Sequence, residues 1–236
     1  MRAYKFLSLV KAKKVLISNN HHRLEKERQL EILNMNSKMA IVSKLYCSSS
    51  QTVLGVRRRP HVVNGGGFVV TDCSSKRVIF KVHGCGVHGK QEELILRDED
   101  EEALLLMRRK GGMVEALSIY KKWKGYRVDY EGLQNLVFSL KEPNSCLARN
   151  NRIRISIEPS NKGWDFEIRG YFPDKHCSIV DTKGNVVAQV GVSKEVEKMM
   201  EIKDLYHVVV KPGIDQAFVV GVIAVLDNIY GESTYC

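Results

Sequence analysis

One stretch constrains this chain more than any other. From Ala217 to Leu226, ten consecutive residues carry no polar side chain, near the end of a 236-residue protein of which 27% is charged. Such a run either enters a membrane or is wrapped by the rest of the molecule. At about 1.5 Å per residue, even fifteen helical residues span only about 22 Å, short of a bilayer core of about 30 Å, so a transmembrane segment is not expected. A helix that is apolar on every side belongs in an interior. Asp215, just after Pro212 and Gly213, is placed to cap its start and Gly231 to stop it, which sets the helix at about 215–229. The β-branched residues Val219, Val220, Val222 and Ile223 favour a strand by propensity alone. Burial decides the matter: sheathing eight or so large apolar side chains contributes roughly 15–25 kcal/mol gross, against a few kcal/mol of unfavourable propensity. Gly221 and Ala217 then mark places where a strand comes close.

The remainder of the chain from about Gln51 supplies the sheath. Ile153, Ile155 and Ile157 alternate with Arg152, Arg154 and Ser156, and Trp164, Phe166 and Ile168 alternate with Asp165, Glu167 and Arg169. Leu136, Phe138 and Leu140 repeat the pattern, as do Val78, Phe80 and Val82. Period-two alternation describes a strand with one wet and one buried face. Between strands lie short turns: DCSSKR before VIFKV, RDEDEE before ALLLMRR, and DTKGNV before VVAQV. Turns of this composition connect antiparallel hairpins rather than crossover helices. Ten to twelve such strands close into a barrel or a sandwich, and a helix threaded through a barrel accounts for both patterns at once.

The length and an apolar content of 44% allow one large all-β domain or two ordinary ones. A net charge of +10 suggests nucleic acid until it is located. Residues 1–60 hold 13 Lys and Arg against 3 acids, whereas residues 61–236 hold 24 of each. The excess sits in a basic leading segment, not on a folded face that would meet phosphate, so specific nucleic-acid binding is not expected. Residues 1–42 read as a basic extension, disordered or helical, compatible with an amphipathic targeting segment or with translation starting upstream of Met35 or Met39. Cys47, Cys73, Cys85, Cys146, Cys177 and Cys236 form no CxxC, and no signal peptide is apparent. Reduced thiols in a cytoplasmic or nuclear protein, peripheral at a membrane if it docks on one, are the expectation.

The segments NGGGFVVTD (64–72), KGYRVD (124–129), DFEIRGYFPDKHCSIVDTKGNVVAQV (165–190) and LYHVVVKPGIDQAFVVGVIAVLDNIYG (205–231) resemble the plant LURP-one-related (LOR) family. The resemblance covers residues 43–231 and leaves 232–236 as a tail. It implies kinship with the Tubby C-terminal domain and the phospholipid scramblases: a closed antiparallel barrel of about twelve strands around a central hydrophobic C-terminal helix. It further implies a non-enzymatic role in plant defence against oomycetes, and the Tubby relatives bind phosphoinositide headgroups. No Tubby headgroup motif can be matched onto this chain, which also departs from the family by its leading extension and by Arg57-Arg58-Arg59.

The residues themselves point to no catalytic constellation, cofactor or metal. GCGVHG (84–89) fits GxGxxG, but no parallel βαβ unit surrounds it, so its glycines read as a sharp corner between strands. His83, Cys85 and His88 are compact enough to suggest zinc, yet they lack a fourth ligand and the usual pair spacing. Asp98–Glu102 reads as a solvated hairpin tip rather than a calcium loop. One constellation points to binding. Arg108, Arg109 and Lys110, with Lys121, Lys122, Lys124 and Arg127, gather cations around Trp123, a mixture suited to an anionic membrane surface. An ordinary charged barrel exterior carries similar residues. Two functions follow: docking on anionic phospholipid, phosphoinositide included, or a defence-pathway protein interaction without lipid.

Overall fold

The structure, a computed structural model, describes residues 40–59, 66–84, 93–110, 122–129, 131–142, 152–159, 163–192 and 205–230. The predicted stop Gly231, most of the extension, the tail 232–236, and Cys85 and His88 of the histidine–cysteine trio lie outside them. Residues 40–236 form one compact unit.

Twelve strands follow in order: β1 (Thr52–Arg58), β2 (Gly67–Asp72), β3 (Val78–His83), β4 (Glu93–Arg97), β5 (Ala103–Lys110), β6 (Lys122–Val128), β7 (Gln134–Lys141), β8 (Arg154–Ile157), β9 (Phe166–Tyr171), β10 (His176–Asp181), β11 (Val186–Gly191) and β12 (Leu205–Val210). Each pairs antiparallel with its neighbours in the chain, and β1 pairs with β12, so the sheet closes. Closure leaves no open edge to be protected. The three quoted turns connect the hairpins expected of them, β2–β3, β4–β5 and β10–β11. Alternation sorts most side chains as anticipated: Phe80 and Val82, Phe138 and Leu140, Ile155, Phe166 and Ile168 are buried, and Arg152, Arg154 and Arg169 face solvent; Val78, Leu136, Ile157 and Trp164 are half-buried, and Glu167, expected on the wet face, is covered by three arginines.

Through the barrel runs α1 (Gln216–Ile229), buried at every residue from Gln216 to Asn228. Phe218 meets Phe138 and Phe166 at ring-centroid distances of 5.5 and 5.3 Å. A side chain at Gly221 would strike Leu105, so strand β5 does approach the helix there. Tertiary burial has overridden the strand propensity of the valines, as the energy comparison requires. Among the described residues, no helix is long and apolar enough to cross a membrane.

Each end of the helix is held by a charged residue that the barrel excludes from water. At the start, Asp215 caps the backbone N–H of Phe218 through Oδ1 at 3.2 Å. Its other oxygen, Oδ2, accepts the N–H groups of Ile41, Val42 and Ser43 at 3.0, 2.7 and 2.9 Å. The segment entering the barrel is therefore fastened to α1 from Ile41 onward. Burial raises the Asp215 carboxyl pKa, and the four N–H bonds pull it back without cancelling the shift. At the other end, fully buried Asp227 lies 3.9 Å from Arg58 Nε.

Candidate functional site

Strands β5 and β6 run antiparallel in a register that sets Arg108 opposite Lys124, Arg109 opposite Trp123 and Lys110 opposite Lys122. The two basic clusters of the sequence are thus one patch. Because neighbouring residues on a strand point to opposite faces, the patch divides. Arg108, Lys122 and Lys124 occupy outward positions, and Arg109 and Trp123 occupy inward ones. Lys121 lies outside the described residues.

Trp123 corrects the expectation of an aromatic at a membrane interface. Its side chain is wholly buried, and its indole N–H donates to Glu142 Oε1 at 2.8 Å. Arg109 grips the same carboxylate, Nε at 2.8 Å from Oε1 and Nη2 at 3.0 Å from Oε2. The three form a lock at the barrel's rim, where the forked guanidinium matches a carboxylate in two places. The period-two rule already required this, since a tryptophan between Lys122 and Lys124 must face away from both. Arg127 also leaves the cluster. It is exposed, but lies past a register shift at Gly125/Tyr126, toward the opposite end of β6.

Cross-strand register lines up basic residues of three strands. Lys110 is opposite Lys122, and Lys122 is opposite Lys141 of β7. Beside it, Arg108 is opposite Lys124, and Lys124 opposite Ser139. Arg108 is partly answered by Glu93, with Nε 3.4 Å from Oε2. Like charges directly opposite one another on a sheet destabilise it. Lys141 was missed in the sequence because its neighbours in the chain, Leu140 and Glu142, give no hint of the lysines it meets across the sheet. The arginines of β8 and β9 were seen only as polar partners of an alternating pattern.

Other groups offer little chemistry. Burial, helped by the Asp215 charge, pushes the Cys47 thiol up to about 11, and burial pushes Cys177 up to about 12 against the pull of Lys175. Neither is a thiolate at neutral pH, so neither is an activated nucleophile. His83, the described member of the trio, has Nδ1 3.4 Å from Arg59 Nη2; burial and that cation lower its pKa.

A closed twelve-strand barrel around a buried helix, its charge gathered on the outer wall, defines a scaffold class consistent with the Tubby-like superfamily. Within it the chain belongs to the LURP-one-related family, whose model matches residues 52–227. It is 58% identical over 198 residues to Protein LURP-one-related 6 of Arabidopsis thaliana, covering 84% of this chain and 99% of that relative. To Protein LURP-one-related 16 of the same plant it is 48% identical over 205 residues, covering 83% and 95%. A crystal structure of an Arabidopsis thaliana protein superposes with a TM-score of 0.56 at 20% identity, over 80% of this chain and 97% of that one, a likeness of fold.

Proposed function

We propose that this barrel is a non-enzymatic binding module that docks the outer face of β5–β7 on anionic phospholipid, at a membrane facing the cytoplasm or nucleus. The observation that carries the reading is the register placing Lys110, Lys122 and Lys141 side by side, next to Arg108 and Lys124. Like charges set opposite one another on a sheet repel, and an anionic surface offsets that repulsion. Each Lys or Arg near such a surface contributes on the order of 1 kcal/mol. A role in plant defence, which the family resemblance implies, belongs to the same proposal; the relatives' names denote no enzyme and speak to neither lipid nor defence.

Sedimentation with vesicles tests the docking. The full chain is expected to pellet with vesicles rich in anionic lipid and not with neutral ones, and to release as salt shortens the Debye length. The double variant Lys122→Glu/Lys124→Glu should weaken retention by at least roughly tenfold, given about 1 kcal/mol per charge. Equal retention by neutral and anionic vesicles, unchanged in the variant, overturns the proposal in favour of a protein partner for this face.

A further inference from the structure

At the end of the barrel where α1 finishes, one lysine reaches inward. Lys175 closes the turn between β9 and β10, its N–H donating to Phe172 C=O at 2.8 Å, and its φ of 51° lies in the left-handed region that glycine or asparagine holds with less strain. From there its Nζ comes to 4.2 Å from the Phe172 ring centroid and 5.0 Å from that of Tyr206. Both rings are buried and stand perpendicular with centroids 6.1 Å apart, and Tyr230 stacks on Phe172. Lys175 as a whole is half-buried, so solvent still reaches it. Lys76 makes the contrast. It has the same left-handed backbone, φ 60°, in the turn between β2 and β3, yet it is exposed.

The surroundings of the Lys175 amine disfavour its charge. Loss of water and, after it, the Arg58 guanidinium bring the pKa from 10.5 down to about 8, against the pull of Asp227 and Cys177. The ring faces attract an ammonium without reversing that shift. Four titratable groups face Nζ: Arg58 from β1, Cys177 from β10, Tyr206 from β12 and Asp227 from α1. Burial holds the Tyr206 hydroxyl and the Cys177 thiol in their neutral forms, the thiol up to about 12, so a change of charge near pH 8 belongs to the lysine. At pH 7.4 about a fifth of such amines are neutral, against about one in a thousand for an ordinary lysine. A less basic amine is also a poorer nucleophile, by roughly tenfold on the slope that thiols follow, which leaves a net advantage of about tenfold.

Charge balance selects what this amine can accept. Arg58 and Asp227 offset each other, Nε 3.9 Å from Oδ1, so a neutral product leaves no net charge where burial has removed water. A carbamate formed from carbon dioxide, or an adduct bearing a carboxylate or phosphate, adds an anion beside buried Asp227. Acyl transfer gives a neutral amide but expels an anionic leaving group at the same place. An aldehyde expels only water. We propose that Lys175, seated over Phe172 and Tyr206 beside the Arg58–Asp227 pair, is a covalent capture site for neutral aldehydes with a short apolar chain, which suits the ring faces. Nζ attacks the carbonyl carbon and one nitrogen proton passes to the carbonyl oxygen, giving a carbinolamine. Loss of that hydroxyl with the second nitrogen proton, as water, leaves the imine. The step takes no oxidant or reductant, and water reverses it. It is independent of docking on the lysine row.

To test this, the full chain is treated with limiting propanal and cyanoborohydride, which reduces each imine to a stable propyl-lysine, and labelled positions are read by peptide mass spectrometry. Lys175 is expected to label at least about tenfold faster than exposed Lys76 and Lys183 at pH 7.4, and its rate to level off near pH 8 while theirs climb to about pH 10. Equal rates, or a Lys175 rate that climbs as theirs do, overturn the proposal. In denaturant the advantage should vanish; its persistence traces it to local sequence and overturns the site. Glyoxylate, an aldehyde that carries a carboxylate, should show little of the preference, and an equal preference overturns the assignment to neutral aldehydes. Arg58→Met should slow Lys175 labelling a few-fold and move its inflection upward, the thermal midpoint showing that the variant is folded at the labelling temperature. A folded variant with unchanged labelling overturns the part given to the cluster. Lys175→Arg keeps a cation in the turn and should remove the fast-labelling fraction alone. A fast fraction that survives this change places the capture elsewhere and overturns the proposal.

Discussion

The two ends of the barrel use charge in opposite ways. At the end where α1 begins, carboxylates are consumed by the chain's own backbone. Asp98 Oδ1 accepts the N–H groups of Asp100 and Glu102 at 3.0 and 2.9 Å, Asp129 Oδ1 those of Glu131 and Leu133 at 3.1 and 2.8 Å, and Asp181 Oδ1 those of Lys183 and Asn185 at 2.9 and 2.8 Å. The three hairpins share one design, each with a left-handed residue three positions after the aspartate: Glu101 at φ 64°, Gly132 at 78° and Gly184 at 85°. Asp215 does the same service for the helix and for Ile41–Ser43. At the end where α1 finishes, Arg108, Lys122, Lys124, Lys141, Arg152, Arg154 and Arg169 share the outer wall, where Glu93 answers Arg108 and Glu167 the last three. The polarity suits the helix dipole, whose start favours anions and whose finish favours cations such as Arg58. At one end carboxylates serve the backbone; at the other, cations are presented on the outer wall.

Mutations at the two ends should therefore divide between stability and binding. Asp215→Ala has the largest expected effect. It leaves two buried and two half-buried N–H groups without their acceptor and removes a helix cap, for a loss of about 4 kcal/mol read by denaturant unfolding. An end built around that carboxylate cannot lose less than about 1 kcal/mol, and so small a change would break the comparison. Arg58→Met at the far end removes the guanidinium nearest buried Asp227 and should cost about 2 kcal/mol, discounted because the pair is long and the arginine partly exposed.

Lys175 sharpens the comparison through pH. Burial, reinforced by Arg58, pushes its amine from 10.5 down to about 8. Between about pH 8 and 10.5 the folded protein holds fewer protons on this group than the unfolded chain, so its contribution makes stability rise with pH across that window and become fully unfavourable below about 8. Lys175→Met should flatten that rise in the thermal midpoint, by a difference of roughly 2–4 °C if about 1 kcal/mol is involved. An unchanged slope would place the amine in water. The smallest stability effect belongs to Lys122→Glu/Lys124→Glu, expected within about 0.5 kcal/mol of the parent protein although it weakens vesicle retention. A large loss of stability there would show that the row holds the barrel together.

Much of this was open to reading in the chain. The all-round apolarity of residues 217–226 pointed to an interior helix and the alternating segments to an antiparallel barrel or sandwich, of which the barrel alone has room for that helix. The docking face was half legible. KKWK and RRK announced cations, but the pattern that puts lysines outward also puts Trp123 and Arg109 inward. Lys141 and the arginines around Glu167 stayed hidden because what joins them is register, a relation between residues far apart in sequence.

By itself, then, the order of amino acids determined which residues go inside and which chain segments are strands, since hydrophobic burial acts on each segment's own periodicity. Only the closed tertiary structure decided which charges become neighbours. Cross-strand pairing brought lysine against lysine on one wall and three arginines around one glutamate, and hydrogen-bond register, not local sequence, sets those distances.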